Sequence, residues 1–261
     1  MGGNALKKVK TIRKQKQEYE IIKRHILEKT REYLKCDIVI ELPNKDSFGD
    51  LDVLYIYDPK INVKELVIKL FNPNEIVING DIMSFDYENF QIDFIKCESI
   101  EFFITSQFYF SNGGIGSIIG CIVNYYGIKF GHEGLWINLI ENTIDPTKEI
   151  NMTKIIGKII LSKNPQEICK FLELDYNLWE TGFLSNKEIF EWIIKCKYYK
   201  KEIFYELNYD HRKRSLKQPI YIEFLEFINI TCEINKVNTK YSEMHINLQK
   251  KLLIFLQRGL F

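Results

Sequence analysis

Several kinds of protein are excluded by what this chain does not contain. Its six cysteines (Cys36, Cys97, Cys121, Cys169, Cys196 and Cys232) are scattered, with no CxxC and no His/Cys pair at zinc spacing. That removes a zinc ribbon and a disulfide framework, and it predicts free thiols in a reducing, intracellular compartment. No apolar run approaches the ~18–20 residues that span a bilayer, and no secretory signal precedes the first predicted helix, so no membrane partner is expected. The opening MGGNAL has Leu6 where an N-myristoylation signal wants Ser or Thr. Charge of one sign is missing too: 36 Lys and Arg face 35 Asp and Glu across 261 residues. A histone-like basic protein is thereby excluded, while local basic patches are not. Repeats and low-complexity tracts are absent. What remains has the apolar and charged fractions of a globular chain. It is heavy in Ile, Lys, Asn, Phe and Tyr, a usage that suggests an AT-rich coding genome.

Periodicity and breakers divide the chain. Residues 5–34 lack Gly and Pro, and Ile12, Tyr19, Ile22, Ile26, Tyr33 and Leu34 fall near helical spacing, which predicts one long amphipathic helix with a basic first half. Short β-branched runs, CDIVIEL and LDVLYIY, predict strands closed by Pro43 and by Asp58-Pro59. NVKELVIKLF predicts a helix that stops before Pro73. EIVINGDIMSFDY and NFQIDFIKC predict strands, the latter pair turning at Glu88-Asn89. After FFITSQFYF a glycine-rich turn opens a helix at SNGGIGSIIG, and IKFGHEGLWINLI predicts a hairpin. From Pro165 onward the pattern is mainly helical, with a basic run, DHRKRSLK, between two helices. The expected class is α+β.

The stretch DSFGDLDVLY carries the chemistry. Asp50 and Asp52 alternate with Leu51 in a strand, so both carboxylates face one side, roughly 7 Å apart. Like charges at that range raise each other's proton affinity unless a cation lies between them. A hard divalent ion held by one or two carboxylates and by substrate phosphates is the ordinary solution. Ser47, Phe48 and Gly49 form a turn whose backbone N–H groups suit an anion. Forty residues on, FQIDFI places Asp93 alone in an apolar strand, where a lone carboxylate is expensive unless paired or metal-bound. Three carboxylates on neighbouring strands are what two-metal phosphoryl or nucleotidyl transfer requires.

These residues resemble the palm of the polymerase-beta-type nucleotidyltransferases, and the family X DNA polymerases in particular. SFGDLDVLY with QIDFI matches their S-G-D-h-D-h and later h-D-h pattern, h being apolar. YFSNGG resembles the turn that opens the family's thumb, GIKFGHEGLWINL the hairpin after the thumb's first helix, and NPQEICKFLELDY the closing segment. Together the matches cover roughly residues 36 to 176 in the family's order. The resemblance implies a polymerase-beta-like palm with a small thumb and a helical C-terminal extension, divided as 1–105, 106–180 and 181–261. It implies an enzyme, a DNA polymerase X-like nucleotidyltransferase (EC 2.7.7 class), that adds nucleotides to a nucleic-acid 3′ end, with two Mg²⁺ or Mn²⁺ ions as cofactor. Its expected partners are a nucleoside triphosphate and a nucleic-acid acceptor, and its expected place is the cytoplasm, or a nucleus or viral factory. By position, Asp50 and Asp52 would bind both ions. Asp93 would bind the catalytic ion and help deprotonate the attacking hydroxyl. Gly49 would present its N–H to the triphosphate, and Tyr109 and Phe110 would pack against the sugar.

The departures are informative. VIELPNKDS occupies the stretch where the family has a triphosphate-gripping Gly-Ser pair. Phe48 replaces a small residue, and the thumb turn reads Ser-Asn-Gly-Gly. The family's lyase and helix–hairpin–helix modules are missing. Gly2 and Gly3, at the start of the predicted first helix, are candidates to replace the Gly-Ser pair, with Asn4 as a side-chain donor. Lys45 and Ser47 are further nucleotide-binding candidates. His211, Arg212, Lys213 and Arg214 are candidates for phosphate-backbone contact, as is the basic run 7–16. The spacing of GGIGSIIG does not fit a dinucleotide fingerprint, and the four histidines suggest no metal cluster. Alternatives are transfer to a tRNA end, a protein side chain or a small molecule, and a degenerate nucleic-acid-binding module without turnover. The oligomeric state is open.

Overall fold

The computed structural model describes residues 4–145, 150–205, 216 and 218–230. These form a mixed α+β chain that divides into two compact units. The first comprises residues 1–113 with 184–186, and the second 114–183 with 187–261. Among the described residues no helix is long and apolar enough to cross a membrane. Cys36, Cys97, Cys121, Cys169 and Cys196 are buried free thiols, as their spacing predicts, and Cys232 lies outside the described residues.

The first unit is built on a five-stranded mixed sheet. Its strands are β2 (Cys36–Ile38), β4 (Asp50–Ile56), β5 (Ile76–Asn79), β6 (Ile82–Tyr87) and β7 (Phe90–Cys97), in the order β2-β4-β7-β6-β5. β4 and β7 are parallel neighbours, and the remaining pairs are antiparallel. Glu88 and Asn89 both take left-handed backbone and turn β6 into β7, with Tyr87 opposite Phe90. This is the two-residue hairpin that the local alternation predicts.

Alternation along the strands divides the sheet into two faces. Leu51, Val53, Tyr55, Phe85, Ile92 and Phe94 form one core with Tyr19, Ile22 and Ile26 of α1 (Lys16–Arg31) and with Val63, Leu66, Val67 and Phe71 of α2 (Val63–Phe71). On the other face Leu54, Ile95 and Cys97 pack with Val39 against Phe102, Phe103 and Phe110 of α3 (Ile100–Asn124). The acidic positions of β4 and β7 lie on this second face.

Two expectations are corrected here. The long helix over 5–34 is a sixteen-residue helix, α1, preceded by a non-helical segment. Tertiary partners outweigh helical propensity in that segment. The Glu75 carboxylate accepts from the N–H groups of Lys7 (3.0 Å), Lys8 (2.7 Å) and Val9 (3.0 Å). Ala5 N–H donates to Gln91 Oε1 at 2.9 Å, and Ile12 N–H to the Asn89 carbonyl at 2.8 Å. β1 (Lys14–Gln15) then pairs antiparallel with β3 (Ser47–Phe48). Gly2 and Gly3, which lie outside the described residues, therefore precede an irregular, bent segment and not a helix, and the helix-dipole argument for them does not hold.

The second correction is that FFITSQFYF belongs to α3. Ser99 caps that helix, with its Oγ accepting from Phe102 N–H at 3.2 Å. The glycine-rich turn lies inside α3, where Asn112, Gly113 and Gly114 have φ of 51°, 72° and 81°. Asn112 N–H leaves the helical ladder for the Ile40 carbonyl at 2.6 Å. A Cβ at Gly113 would meet Leu42 Cδ1 at 2.7 Å, so close packing as well as φ demands glycine there.

In the second unit, β8 (Ile128–Gly131), β9 (Gly134–Asp145) and β10 (Ile150–Ser162) form an antiparallel sheet. The β8–β9 hairpin is as predicted, and β10 falls where the sequence carries no prediction. Helices α4 (Pro165–Leu172), α5 (Tyr176–Thr181), α6 (Asn186–Ile193) and α7 (Pro219–Phe227) follow, with a 3₁₀ turn at Lys201–Phe204. Asn164 and Asp175 cap α4 and α5 through their side chains. Trp192, Phe224 and Tyr221 are fully buried in this unit.

Candidate active site

Register decides what the acidic residues can do. Asp52 stands directly opposite Asp93 across the parallel pair β4/β7, and Asp50 stands opposite Gln91. Partners across a ladder share a face, so Asp50, Asp52, Asp93 and Gln91 lie on one side of the sheet. Ser84 on β6 continues the Asp52–Asp93 row, and Asp86 the Asp50–Gln91 row. The three aspartates are half-buried, whereas Gln91, Ser84 and Asp86 are buried.

Electrostatics follow from this crowding. Burial raises the Asp52 carboxyl well above the ordinary aspartate value; the charges of Asp50 and Asp93 add to that rise, and Lys45 opposes it. Burial pushes Asp93 up to about 6, although hydrogen bonds from Ser84 and Gln91 act the other way. Gln91 Nε2 reaches both Asp93 oxygens at 2.9 Å, while its Oε1 accepts from Ala5 N–H. The Asp93 carboxylate is thus tied through one amide to the N-terminal segment.

A divalent cation fits this donor set. Carboxylates whose ionised form is disfavoured by each other and by burial gain most from a hard cation. Among the described residues no three His, Cys, Asp or Glu side chains close into a ready-made metal cage. An open arrangement of this kind suits an ion that completes its shell with water and substrate oxygens.

The stretch before Asp50, expected as a Ser-Phe-Gly turn, is strand β3 with a bend only at Gly49, because Ser47 and Phe48 pair with β1; it is braced from both sides. Phe48, the departure from the family pattern, is 2% exposed and stacks on Tyr19 with ring centroids 3.7 Å apart. The Tyr19 hydroxyl donates to Glu41, and Lys23 Nζ lies 3.4 Å from the same carboxylate. Burial and then Glu41 raise the Tyr19 phenol, so it stays a neutral donor. Lys45 Nζ sits 4.5 Å from the Phe48 ring centroid. Gly49 is buried directly before Asp50. Arg13 clasps Ser47, with Nη2 2.8 Å from its carbonyl and 3.1 Å from its Oγ.

Other expected residues fall at different distances from this centre. Val39 N–H bonds the Asp52 carbonyl at 3.2 Å, and Ile40, the next residue, receives Asn112 N–H. Tyr109 and Phe110 lie just before that turn in edge-to-face contact at 5.1 Å, with Phe110 packed on the Leu54–Ile95 core. Asn4 is exposed, next to the Ala5–Gln91 link. His211, Arg212, Lys213 and Arg214, like Gly2 and Gly3, lie outside the described residues.

Sequence reasoning missed Glu41, Ser84 and Gln91, and gave Arg13 only within the basic run 7–16. Gln91 and Ser84 carry a signal in the alternation, since each is a polar residue on the Asp93 face, Gln91 two residues before it and Ser84 opposite it. Glu41 carries none, and nothing singles out Arg13 within its run, because their partners are set by long-range pairing. A comparison of the chain with protein-family models and with curated proteins returns no match.

Proposed function

We propose that the chain is a metal-dependent nucleotidyltransferase with a polymerase-beta-like palm in its first unit, adding nucleotides to a nucleic-acid 3′ end. The observation that carries this reading is the Asp52–Asp93 rung, with Asp50 two residues away on the same face and the braced β3 strand and Gly49 bend before it. The mixed sheet, with helices α1 and α2 on the opposite face, supports the same reading.

In the proposed reaction a 3′-hydroxyl oxygen forms a bond to the α-phosphorus of a nucleoside triphosphate, and the bond to pyrophosphate breaks. Asp50, Asp52 and Asp93 would hold Mg²⁺ or Mn²⁺, which when bound supplies positive charge to the attacking and leaving oxygens. Asp93, on the same face as Asp50 and Asp52, is the carboxylate that the resemblance places at the attacking hydroxyl, where it would take the proton. Gln91 and Ser84 fix its carboxylate. The Gly49 N–H, at the bend between β3 and β4, would meet developing charge on the phosphates.

The test is incubation with labelled dNTPs and NTPs, Mg²⁺ or Mn²⁺, and single-stranded, primed and gapped acceptors. Asp52→Asn is expected to abolish transfer and leave the fold intact, since it removes like-charge repulsion. Turnover within tenfold of wild type in that variant refutes the assignment. A degenerate binding module, which the missing Gly-Ser pair favours, predicts acceptor binding without product from wild type as well. Because one such site serves many acceptors, the acceptor panel and not the fold separates polymerase from transfer to tRNA, protein or a small molecule.

A further inference from the structure

The N-terminal segment is held to the sheet at intervals along its length. Ala5 is bound to Gln91, Lys7 to Val9 are bound to Glu75, Ile12 is bound to Asn89, and Lys14–Gln15 pair with Ser47–Phe48. Glu75 is itself fixed, its N–H donating to Asp86 Oδ1 at 2.7 Å. Lys16 N–H closes the segment on the Asp46 carbonyl at 3.0 Å. A strap anchored this often presents its side chains in a fixed place.

One of those side chains is a cation beside the turn that leads into the carboxylates. Arg13 precedes Lys14, the partner of Phe48, and Phe48 is followed by Gly49 and Asp50. Its guanidinium places Nε 3.3 Å and Nη2 3.1 Å from Ser47 Oγ, and Nη2 also bonds the Ser47 carbonyl. A guanidinium has five N–H donors in a rigid fork, and the two at Nη1 are not used by Ser47. Arg13 is exposed, so a ligand can reach it. Lys45 stands over the Phe48 ring, close enough to Asp52 for its charge to act on that carboxyl. Two cations, one from the strap and one from the loop, therefore flank the same turn.

We infer that Arg13, with Lys45, grips the polyphosphate of the substrate in place of the missing Gly-Ser pair; the identity of that substrate rests on the nucleotidyl-transfer reading. Charge requires such a grip. The face already carries Asp50, Asp52 and Asp93, and Glu41 adds a carboxylate near enough to Asp52 to raise it further. A polyphosphate brought there meets repulsion that backbone N–H groups alone do not offset. A planar fork whose orientation is fixed before binding loses little freedom on taking up a phosphate edge. Glu75 and Gln91 act as positioning residues, since they hold the strap and touch no substrate.

The experiment is calorimetric titration of the full chain with inorganic tripolyphosphate, on wild type, Arg13→Ala and Arg13→Lys, with melting followed in parallel. Arg13→Ala is expected to weaken tripolyphosphate at least about tenfold, the range of one charge-assisted contact. Arg13→Lys, which keeps the charge and loses the fork, is expected to recover part of that affinity. A residue that only staples Ser47 predicts the reverse: lysine fails as alanine does, melting falls, and affinity does not follow charge. Wild-type affinity in Arg13→Ala, or no tripolyphosphate binding by wild type, overturns the proposal. Turnover assays on wild type and Asp52→Asn keep the two readings apart. Metal-dependent transfer with an indifferent Arg13 leaves the enzyme and removes the grip. Arg13-dependent binding without transfer leaves the grip and removes the enzyme.

Discussion

Asp93 allows a quantitative test in the metal-free protein. Burial lifts its carboxyl from 3.8 to about 6, so the folded state holds a proton that the unfolded chain releases earlier. A raised carboxyl pKa costs nothing below the unfolded value. The cost accumulates as pH rises from about 4 to about 6 and is constant above that. Two units correspond to about 3 kcal/mol, or roughly 6–12 °C in melting temperature for a chain of this size. The assay is thermal melting in a chelating buffer across pH 4.5 to 7.5, on wild type and Asp93→Asn, so that carboxylates remote from Asp93 cancel, while Asp52, which the Asp93 charge raises, changes in the same direction. The difference curve is expected to show wild type losing stability relative to Asp93→Asn as pH rises through that window. Mn²⁺ at pH 7.5 is expected to restore wild type and to have less effect on the variant. Superimposable profiles, or equal stabilisation of both by Mn²⁺, refute the argument that Asp93 is an ion-seeking carboxylate.

Three further outcomes are expected. Phe48→Ala empties a site stacked on Tyr19 and is expected to cost about 3–5 kcal/mol by denaturant unfolding; a loss under 1 kcal/mol means that the turn is not braced by the core. Burial alone would raise the Glu75 carboxyl, but the N–H groups of Val9, Lys7 and Lys8 outweigh it and hold it below its ordinary value of 4.5. That contribution is present above pH 4.5 and disappears as pH falls through the lowered pKa, so Glu75→Gln is expected to speed exchange of the Lys7–Val9 amides at pH 6, and unchanged exchange would falsify the anchor. Neutralising Arg212 and Arg214 is expected to flatten the salt dependence of acceptor binding by about one unit per lost contact; an unchanged slope returns that run to a solvated surface.

How much of this was legible depended on how far away each residue's partners are. The Asp50-Leu51-Asp52 alternation and the Glu88-Asn89 turn are local patterns, and the strands and their faces follow from them. That β4 and β7 are neighbours came only through the family resemblance, since nothing local pairs Asp52 with Asp93. The N-terminal segment misled because its helical spacing is real, while the groups that unwind it, Glu75, Asn89 and Gln91, lie 66 to 86 residues away. In α3 the aromatic and β-branched run FFITSQFYF masked a helix whose start was signalled by Ser99 and Glu101. The Phe48 substitution became intelligible only with Tyr19 stacked on it.

The anchored strap also sets an order of assembly. During synthesis residues 5–15 emerge before their partners in β3, in the β6–β7 hairpin and at Glu75. That hairpin closes over a two-residue turn and forms quickly, whereas pairing β7 with β4 and docking the strap close loops of about thirty residues or more. The strap is thus made before the sheet and settles after it. Until it does, Ser47 lacks its clasp and Gln91 its backbone donor, so a nascent chain that already has its sheet still lacks a finished acidic face.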